Sequence, residues 1–401
     1  MRTIETSERL FEKARTLLLG GGQGHKRPGK VNGRYPIYAV RGKGASFWDA
    51  DGNEYIDYLC AFGPMLVGYG NPDVDAAVKA QVDEGVIFNI HHPKEIELAE
   101  TLARLIPSCD MLSYFTGGSG ATTGAVKIAR AVTGRDRVLR CGYHGWHDWA
   151  DPDGAGVPKA VGALTTAVGY NDLGSLKQAL EAHREEYAVF MLEAFQGRGP
   201  SDGYLAGVQQ LCAEHGTLLC FDEVKTGFRF ALGGYQEFTG VTPDLSTFGK
   251  ALGNGYDVAM VVGKREIMEQ AGHVWVAATF HGQLIGVAAA IATIRLMEET
   301  DGVAAIWRQG RRLMDGLDRV MSDAGVDARS AGQPPMPRLS FGEGLDELAN
   351  AFYDEAANRR IYFDPGHNWF ISPAHTDEIV DYTIEASADA IRAALERGAR
   401  A

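Results

Sequence analysis

Lys250 sits in Ser-Thr-Phe-Gly-Lys-Ala-Leu-Gly (246–253), a run of small and apolar residues, 28 positions after Asp222 in Phe-Asp-Glu-Val-Lys-Thr-Gly-Phe-Arg (221–229). The usual place for a lysine is the surface. Burial among apolar residues instead lowers the pKa of the amine and makes it a nucleophile. Asp222 closes the apolar run Leu-Leu-Cys-Phe, where a carboxylate left unpaired would be costly to bury. A local arginine would answer that need, and so would the N–H of a protonated heteroaromatic ring. An amine able to form a Schiff base, with a carboxylate able to hold a ring proton, is what pyridoxal 5'-phosphate (PLP) requires.

Three further segments carry groups suited to such a cofactor. In Phe115-Thr-Gly-Gly-Ser-Gly-Ala-Thr-Thr (115–123), Gly118 and Ser119 fall between a strand and a helix. Backbone N–H groups at a helix start bind phosphate there, and Ser119 adds a hydroxyl, although an ordinary strand-to-helix turn uses similar residues. No Gly-Lys-Ser/Thr follows, so this is not a nucleotide P-loop. In Gly142-Tyr-His-Gly-Trp-His (142–147), Tyr143 can stack on a flat ring or join an aromatic cluster of the core. Val224 is placed to pack on the face opposite Tyr143. In Ala278-Thr-Phe-His-Gly-Gln (278–283), Thr279 either donates to a phosphate or caps the helix that follows.

The elements that position these groups alternate. Short apolar strands are predicted at 112–115, 137–140, 188–192, 217–222, 245–248 and 258–262, with helices at 121–132, 173–184 and 204–215. Such alternation means a mostly parallel sheet covered on both faces, with ligands at the carboxyl ends of its strands. Asp222 and Lys250 both fall at or just beyond such ends. A helix at 7–19 precedes the glycine-rich stretch 20–29, which reads as a loop. Residues 45–59 alternate as a hairpin about Asp51-Gly-Asn, and Asn71-Pro and Pro93 open two helices. Helical patterns at 287–299 and 303–323 and a terminal helix near 377–397 follow. The expected organisation is an N-terminal helix and loop over 1–44 at the site entrance, a large cofactor-binding domain over 45–290, and a small α+β domain over 291–401.

With 401 residues, 45% hydrophobic and 23% charged, the chain has the composition of a globular protein large enough for two domains. A formal net charge of −13 argues against nucleic acid as partner. The five cysteines form no CxxC pair, so neither a disulfide framework nor a metal site is expected. Charges interrupt the first 13 residues, and no apolar run reaches the length of a membrane span. A cytoplasmic location is expected.

Taken together these segments resemble the class III aminotransferases of PLP fold type I, and within them glutamate-1-semialdehyde 2,1-aminomutase and its relatives. The resemblance runs from Ser7-Glu-Arg-Leu-Phe-Glu-Lys-Ala through Asp49-Ala-Asp-Gly-Asn-Glu-Tyr-Ile-Asp-Tyr to Ser372-Pro-Ala-His-Thr. The block Asp-Glu-Val-x-Thr-Gly-Phe-Arg with its downstream lysine is its most specific part. It implies an aspartate aminotransferase-like α/β fold and the following roles. Lys250 carries the cofactor and then protons, and Asp222 binds the ring nitrogen. Tyr143 and Val224 sandwich the ring, and Gly118 and Ser119 hold the phosphate. Thr279 reaches the phosphate from a neighbouring subunit of a homodimer, and Glu193 matches a glutamate near the active site. Arg27 matches an arginine that contacts substrate.

Departures from the family pattern cluster on the substrate side. Gly24 stands for a serine, Phe62 for a tryptophan, Asn89-Ile-His91-His92 for a gating loop and His367 for a glutamate. Kept cofactor groups with changed substrate positions predict an aminotransferase acting on a polar substrate such as an aminosugar or aminoglycoside intermediate. The aminomutase reaction is one alternative. Epimerisation at an amine-bearing carbon is another, with Cys60, His91 or His92 as the second acid/base. A non-enzymatic PLP-binding regulator is disfavoured because Asp222 and Lys250 are both retained.

Overall fold

The computed structural model describes residues 2–22 and 37–398. Contacts divide the chain into two compact units, one of residues 1–71 with 304–401 and the other of residues 72–303.

The second unit holds a seven-stranded sheet, in the spatial order Met111–Phe115, Ala259–Gly263, Leu245–Phe248, Leu218–Asp222, Tyr187–Leu192, Arg137–Cys141, Thr165–Ala167. Ala259–Gly263 runs antiparallel to both its neighbours, and the other four pairings are parallel. The mostly parallel sheet expected from the alternation is therefore present, and its six predicted strands lie within a residue or so of the observed ones. Strands buried on both faces read as unbroken apolar runs. Tyr187–Leu192 and Ala259–Gly263 are buried at every position. The helix Gly118–Thr133 presents Ala121, Ala125, Val126, Ile128 and Ala129 to Val138, Val189, Cys220, Leu245 and Val261. Small side chains on that helix let it lie close to the sheet, and Phe115 packs against Gly124 where any larger residue would collide.

The first unit contains a four-stranded sheet, ordered Ala39–Lys43, Ser46–Asp49, Glu54–Asp57, Ile361–Tyr362. The expected hairpin is there: Asp49 Oδ1 accepts from the N–H groups of Asp51 and Asn53 at 3.0 and 2.8 Å and shapes its turn. Phe363 stacks on Trp369 at 3.9 Å, and Tyr58 donates to Thr383 at 2.8 Å, inside the core of this unit.

The observed boundaries, 71/72 and 303/304, differ from the expected 44/45 and 290/291. The hairpin belongs with the C-terminal region because Glu54–Asp57 pairs in parallel with Ile361–Tyr362, a partner more than 300 residues away. The helix Leu284–Glu299 belongs with the large sheet's unit because it is buried nearly all round, as an apolar helix of that kind must be. Among the described residues no helix is long and apolar enough to cross a membrane.

Phe115 ties the strand that leads into the 117–120 turn to the helix that follows, so Phe115→Ala removes a large buried ring at that joint. The expected loss is about 3–5 kcal/mol, read as a lower unfolding midpoint in a thermal or denaturant scan.

Candidate active site

Asp222 is the last residue of its strand and is almost fully buried. Its Oδ2 lies 2.8 Å from His144 Nδ1. Its Oδ1 accepts from Val224 N–H at 3.1 Å and Thr247 Oγ1 at 3.2 Å. Burial opposes ionisation, but the His144 hydrogen bond and charge, the Val224 N–H and the charge of Lys225 outweigh it and hold the carboxyl below its ordinary range. Because a carboxylate accepts, His144 donates through Nδ1. Its Nε2 is buried with no hydrogen-bond partner among the described residues.

His144 reaches Asp222 because the chain after Arg137–Cys141 folds back over the strand ends. Gly142 and Gly145 have φ of +112° and +108°. A Cβ on Gly142 would meet Glu193 Oε2 at 2.5 Å, and one on Gly145 would fall on Ser119. Both positions therefore need glycine for conformation and for space. Thr122 Oγ1 donates to His144 C=O at 2.7 Å and pins this loop to the helix Gly118–Thr133.

That helix starts at Gly118, three residues before the expected 121, so Gly118, Ser119 and Gly120 form its first turn. Gly117 caps it with extended backbone and no side-chain hydrogen bond, and a Cβ there would meet nothing within 4 Å. The result is an uncapped N-terminus of a 16-residue helix facing open space, suited to an anion. A Cβ on Gly118 would lie 2.9 Å from Val224, so Val224 stands directly beside this turn. Tyr143 is more than half exposed on the open side.

Lys250 follows the strand Leu245–Phe248 and takes a left-handed backbone, φ +45°, after an extended Gly249. A non-glycine residue there carries about 1–2 kcal/mol of strain. Burial pushes its ammonium down from 10.5 to about 8; Lys225 and Arg229 push the same way, while Asp222 and Glu193 oppose.

Glu193 is brought in as well. Its Oε2 accepts from Tyr143 N–H at 2.9 Å, and its Oε1 is 2.5 Å from Lys225 Nζ. Lys225 and Arg229 had not been singled out by type and spacing. Lys225 fills the variable position of the aspartate block, and a lysine there looks like a surface residue until the turn 223–229 is folded. The buried Glu223 shapes that turn by accepting from Thr226 Oγ1 and from the N–H groups of Tyr235 and Gln236 at 2.8 and 2.9 Å.

Other expected residues are placed differently. Thr279 stands in an exposed turn, outside this hydrogen-bonded set. His92 caps the helix Pro93–Leu105, its Nδ1 accepting from Lys94 N–H at 3.2 Å while Glu95 accepts from His92 N–H. His91 is exposed and meets Glu95 at 3.0 Å. In the other unit Phe62 packs edge-on against His367 with ring centroids 5.4 Å apart. Cys60 is buried there, its Sγ directed at the carbonyl oxygens of Asp57 and Phe370. Arg27, like Gly24, lies outside the described residues.

Residues 29–333 match the family Aminotransferase class-III. The chain belongs to that family. It is 39% identical over 396 residues to a 3-aminobutyryl-CoA aminotransferase of Cloacimonas acidaminovorans, covering 96% of each chain. It is 34% identical to a glutamate-1-semialdehyde 2,1-aminomutase of Syntrophobacter fumaroxidans, over 97% of this chain and 98% of that one. Among solved structures it superposes on the FumI protein of Sphingopyxis sp. MTA144 in its PLP internal aldimine form. The TM-score is 0.92 at 30% identity, with 98% of both chains covered. The fold is that of PLP fold type I, the protein is a PLP-dependent enzyme, and PLP is its cofactor.

The residues present fit that group. A carboxylate stands at the strand edge, an anion-accepting helix start lies beside it, and the amine is held largely out of water. An amine with a depressed pKa also marks stability. Unfolded, Lys250 holds a proton up to about 10.5; folded, only up to about 8. Below the lower value its burial costs stability, and the cost is relieved as pH rises from about 8 towards 10.5. Lys250→Met should therefore raise the unfolding midpoint of the cofactor-free protein at pH 7, with the gain shrinking above pH 8. Melting curves at a series of pH values check the sign.

Proposed function

We propose that this enzyme is an aminotransferase whose amino donor carries its amine two carbons from an acyl group, as a 3-aminoacyl derivative. Lys250 takes the cofactor as its covalent carrier. The observation that carries the aminotransferase chemistry is geometric: buried Asp222, hydrogen-bonded by His144, ends one strand, and Lys250 follows the end of the adjacent strand, where burial disfavours its charge. The similarity to a 3-aminobutyryl-CoA aminotransferase supports the substrate class.

When bound, PLP supplies an aldehyde that captures the donor's amine and a ring that draws electrons from the carbon bearing it. Asp222 accepts the ring nitrogen's proton in a hydrogen bond, and His144 and Thr247 hold the carboxylate in place for it. Backbone N–H groups at Gly118 and Ser119 would hold the phosphate. Tyr143 and Val224 would hold the ring. Glu193 anchors the Tyr143 backbone, which fixes the level at which that ring lies. Lys250 would hold the cofactor through its amine and, when that amine is free, would move the proton at the amine-bearing carbon. Its amine, at about 8, sits close enough to neutrality to serve as base and then acid. Thr279, exposed on its own chain, is available to the phosphate of a second copy in a homodimer. Phe62, His367 and Arg27 are assigned to the substrate, with Phe62 and His367 acting as one aromatic pair.

The aminosugar substrate expected from the changed pocket draws no support from the relatives named above. The aminomutase reaction has a specific one, the 34% identity to the aminomutases, and it differs in returning the amine to the same molecule.

A panel of amines mixed with the PLP enzyme decides between them. A 3-aminoacyl thioester should convert the cofactor's absorbance to that of pyridoxamine phosphate and leave a 3-oxoacyl product. Reaction of glutamate-1-semialdehyde alone would replace this reading with aminomutation. Solvent deuterium entering the donor without net conversion would replace it with epimerisation. Lys250→Ala should lose the borohydride-reducible cofactor band and slow turnover by about 10²–10⁴-fold. A reducible band that survives in this variant would show that another amine carries the cofactor.

A further inference from the structure

The site holds a second lysine for which the reaction described above has no use. Lys225 lies three residues past Asp222, and its Nζ is 2.5 Å from Glu193 Oε1. Both partners are withdrawn from water, with side chains 21% and 7% exposed for Lys225 and Glu193. The other Glu193 oxygen is engaged by Tyr143 N–H. Glu193 follows Tyr187–Leu192, Asp222 ends the next strand and Lys250 follows the one after, so both acids and the amine stand at neighbouring strand ends.

Without Lys225, Glu193 would be a buried charge held by a single N–H, a costly state. Its electrostatic reach extends to Lys250. It would recruit the Lys250 ammonium, stabilise its proton and draw the amine away from the cofactor's reactive carbon. Around Lys250 stand four charges: Lys225 and Arg229 from the turn 223–229, Asp222 from its strand end, and Glu193 from the segment after Tyr187–Leu192. Lys225 bears on the amine as a repelling charge. Its effect has two parts, direct repulsion of the Lys250 proton and occupation of the competing carboxylate.

We propose that Lys225 is a positioning residue that, by pairing with Glu193, keeps this carboxylate from capturing Lys250 and so leaves the Lys250 amine free to carry cofactor and protons. The inference rests on the reading of Lys250 as the cofactor-bearing amine. Lys225 occupies the variable position of the aspartate block, so this device is written in this chain's own residue.

The test is a pH titration of the cofactor's absorbance in the PLP-loaded enzyme, alongside the pH profile of kcat. Lys225→Met leaves Glu193 uncompensated and should move the spectral midpoint up by about one pH unit, with the base limb of kcat moving in the same direction. Lys225→Arg, which keeps the charge, should stay near the unmodified enzyme. Lys225→Gln, which keeps a donor to Glu193 without the charge, should shift the midpoint in the same direction by less, and serves if the methionine variant folds poorly. The pair Lys225→Met with Glu193→Gln removes both charges and should return the midpoint towards its original value. That recovery is one that a merely structural role for Lys225 would not produce. A Lys225→Met enzyme that binds PLP with an unshifted midpoint would overturn the inference and leave the proposed function standing. So would a double variant shifted as far as the single one. Absence of a borohydride-reducible cofactor band in the unmodified enzyme would overturn both.

Discussion

Asp222 is a carboxylate at the end of a parallel strand with apolar residues behind it, and most of the site follows from the need to keep it charged there. Removed from water, it has to be given donors. Val224 N–H comes from the chain's own turn, Thr247 from the neighbouring strand, and His144 from a loop that must cross the strand ends to arrive. That crossing demands the left-handed Gly142 and Gly145, brings Tyr143 to the open side, and stacks the His144 ring over Trp149 at 6.0 Å. With Nδ1 committed to Asp222, the imidazole's tautomer is set by the carboxylate.

A second constraint is charge balance. Two carboxylates, Asp222 and Glu193, and three cations, Lys225, Arg229 and Lys250, share one poorly hydrated region. Each acid is assigned to a donor other than Lys250: Asp222 to His144 and Glu193 to Lys225. Lys250 is thereby left, among the described residues, without an ion-pair partner in a setting that disfavours its charge. This is how a lysine reaches a pKa near neutrality without being stranded in a fully apolar core. Left-handed backbone at Lys250 adds a local cost that the surrounding strand ends sustain.

The cofactor half of this arrangement was legible in the chain because its signals are local. An apolar run ending in Asp222, a lysine among glycines and alanines, and glycines between a strand and a helix each say something within ten residues. The large sheet was legible for the same reason. What escaped depends on distant partners or on conformation. Ile361–Tyr362 is two residues long and becomes a strand only against Glu54–Asp57, so the unit boundary could not be read from composition. The first turn of the helix at Gly118 is made of glycines that local propensity assigns to a loop; its following turns are held by packing on the sheet. His92 stands out in the chain because it lies in the segment that takes the place of the family's gating loop. Folded, its ring spends its Nδ1 on a helix N-terminus, a use that demands only an acceptor at the right position.

The segment around Phe62 resists such reading for a conformational reason. Cys60, Ala61 and Phe62 are three successive non-glycine residues in the left-handed region, at φ of +48°, +54° and +67°. Each costs about 1–2 kcal/mol. The segment persists because buried Asp57 accepts from Leu59 and Cys60 N–H at 2.8 and 3.0 Å and from Tyr69 Oη at 2.6 Å. Burial raises the Asp57 carboxyl, and those hydrogen bonds act against the rise. The helical kink that results sets Phe62 against His367. The placement of that aromatic pair is thus fixed by a carboxylate five residues before Phe62 and by backbone that no propensity scale favours. In the chain Phe62 reads as an ordinary apolar residue; the direction its ring takes is a property of the Asp57–Gly63 turn as a unit.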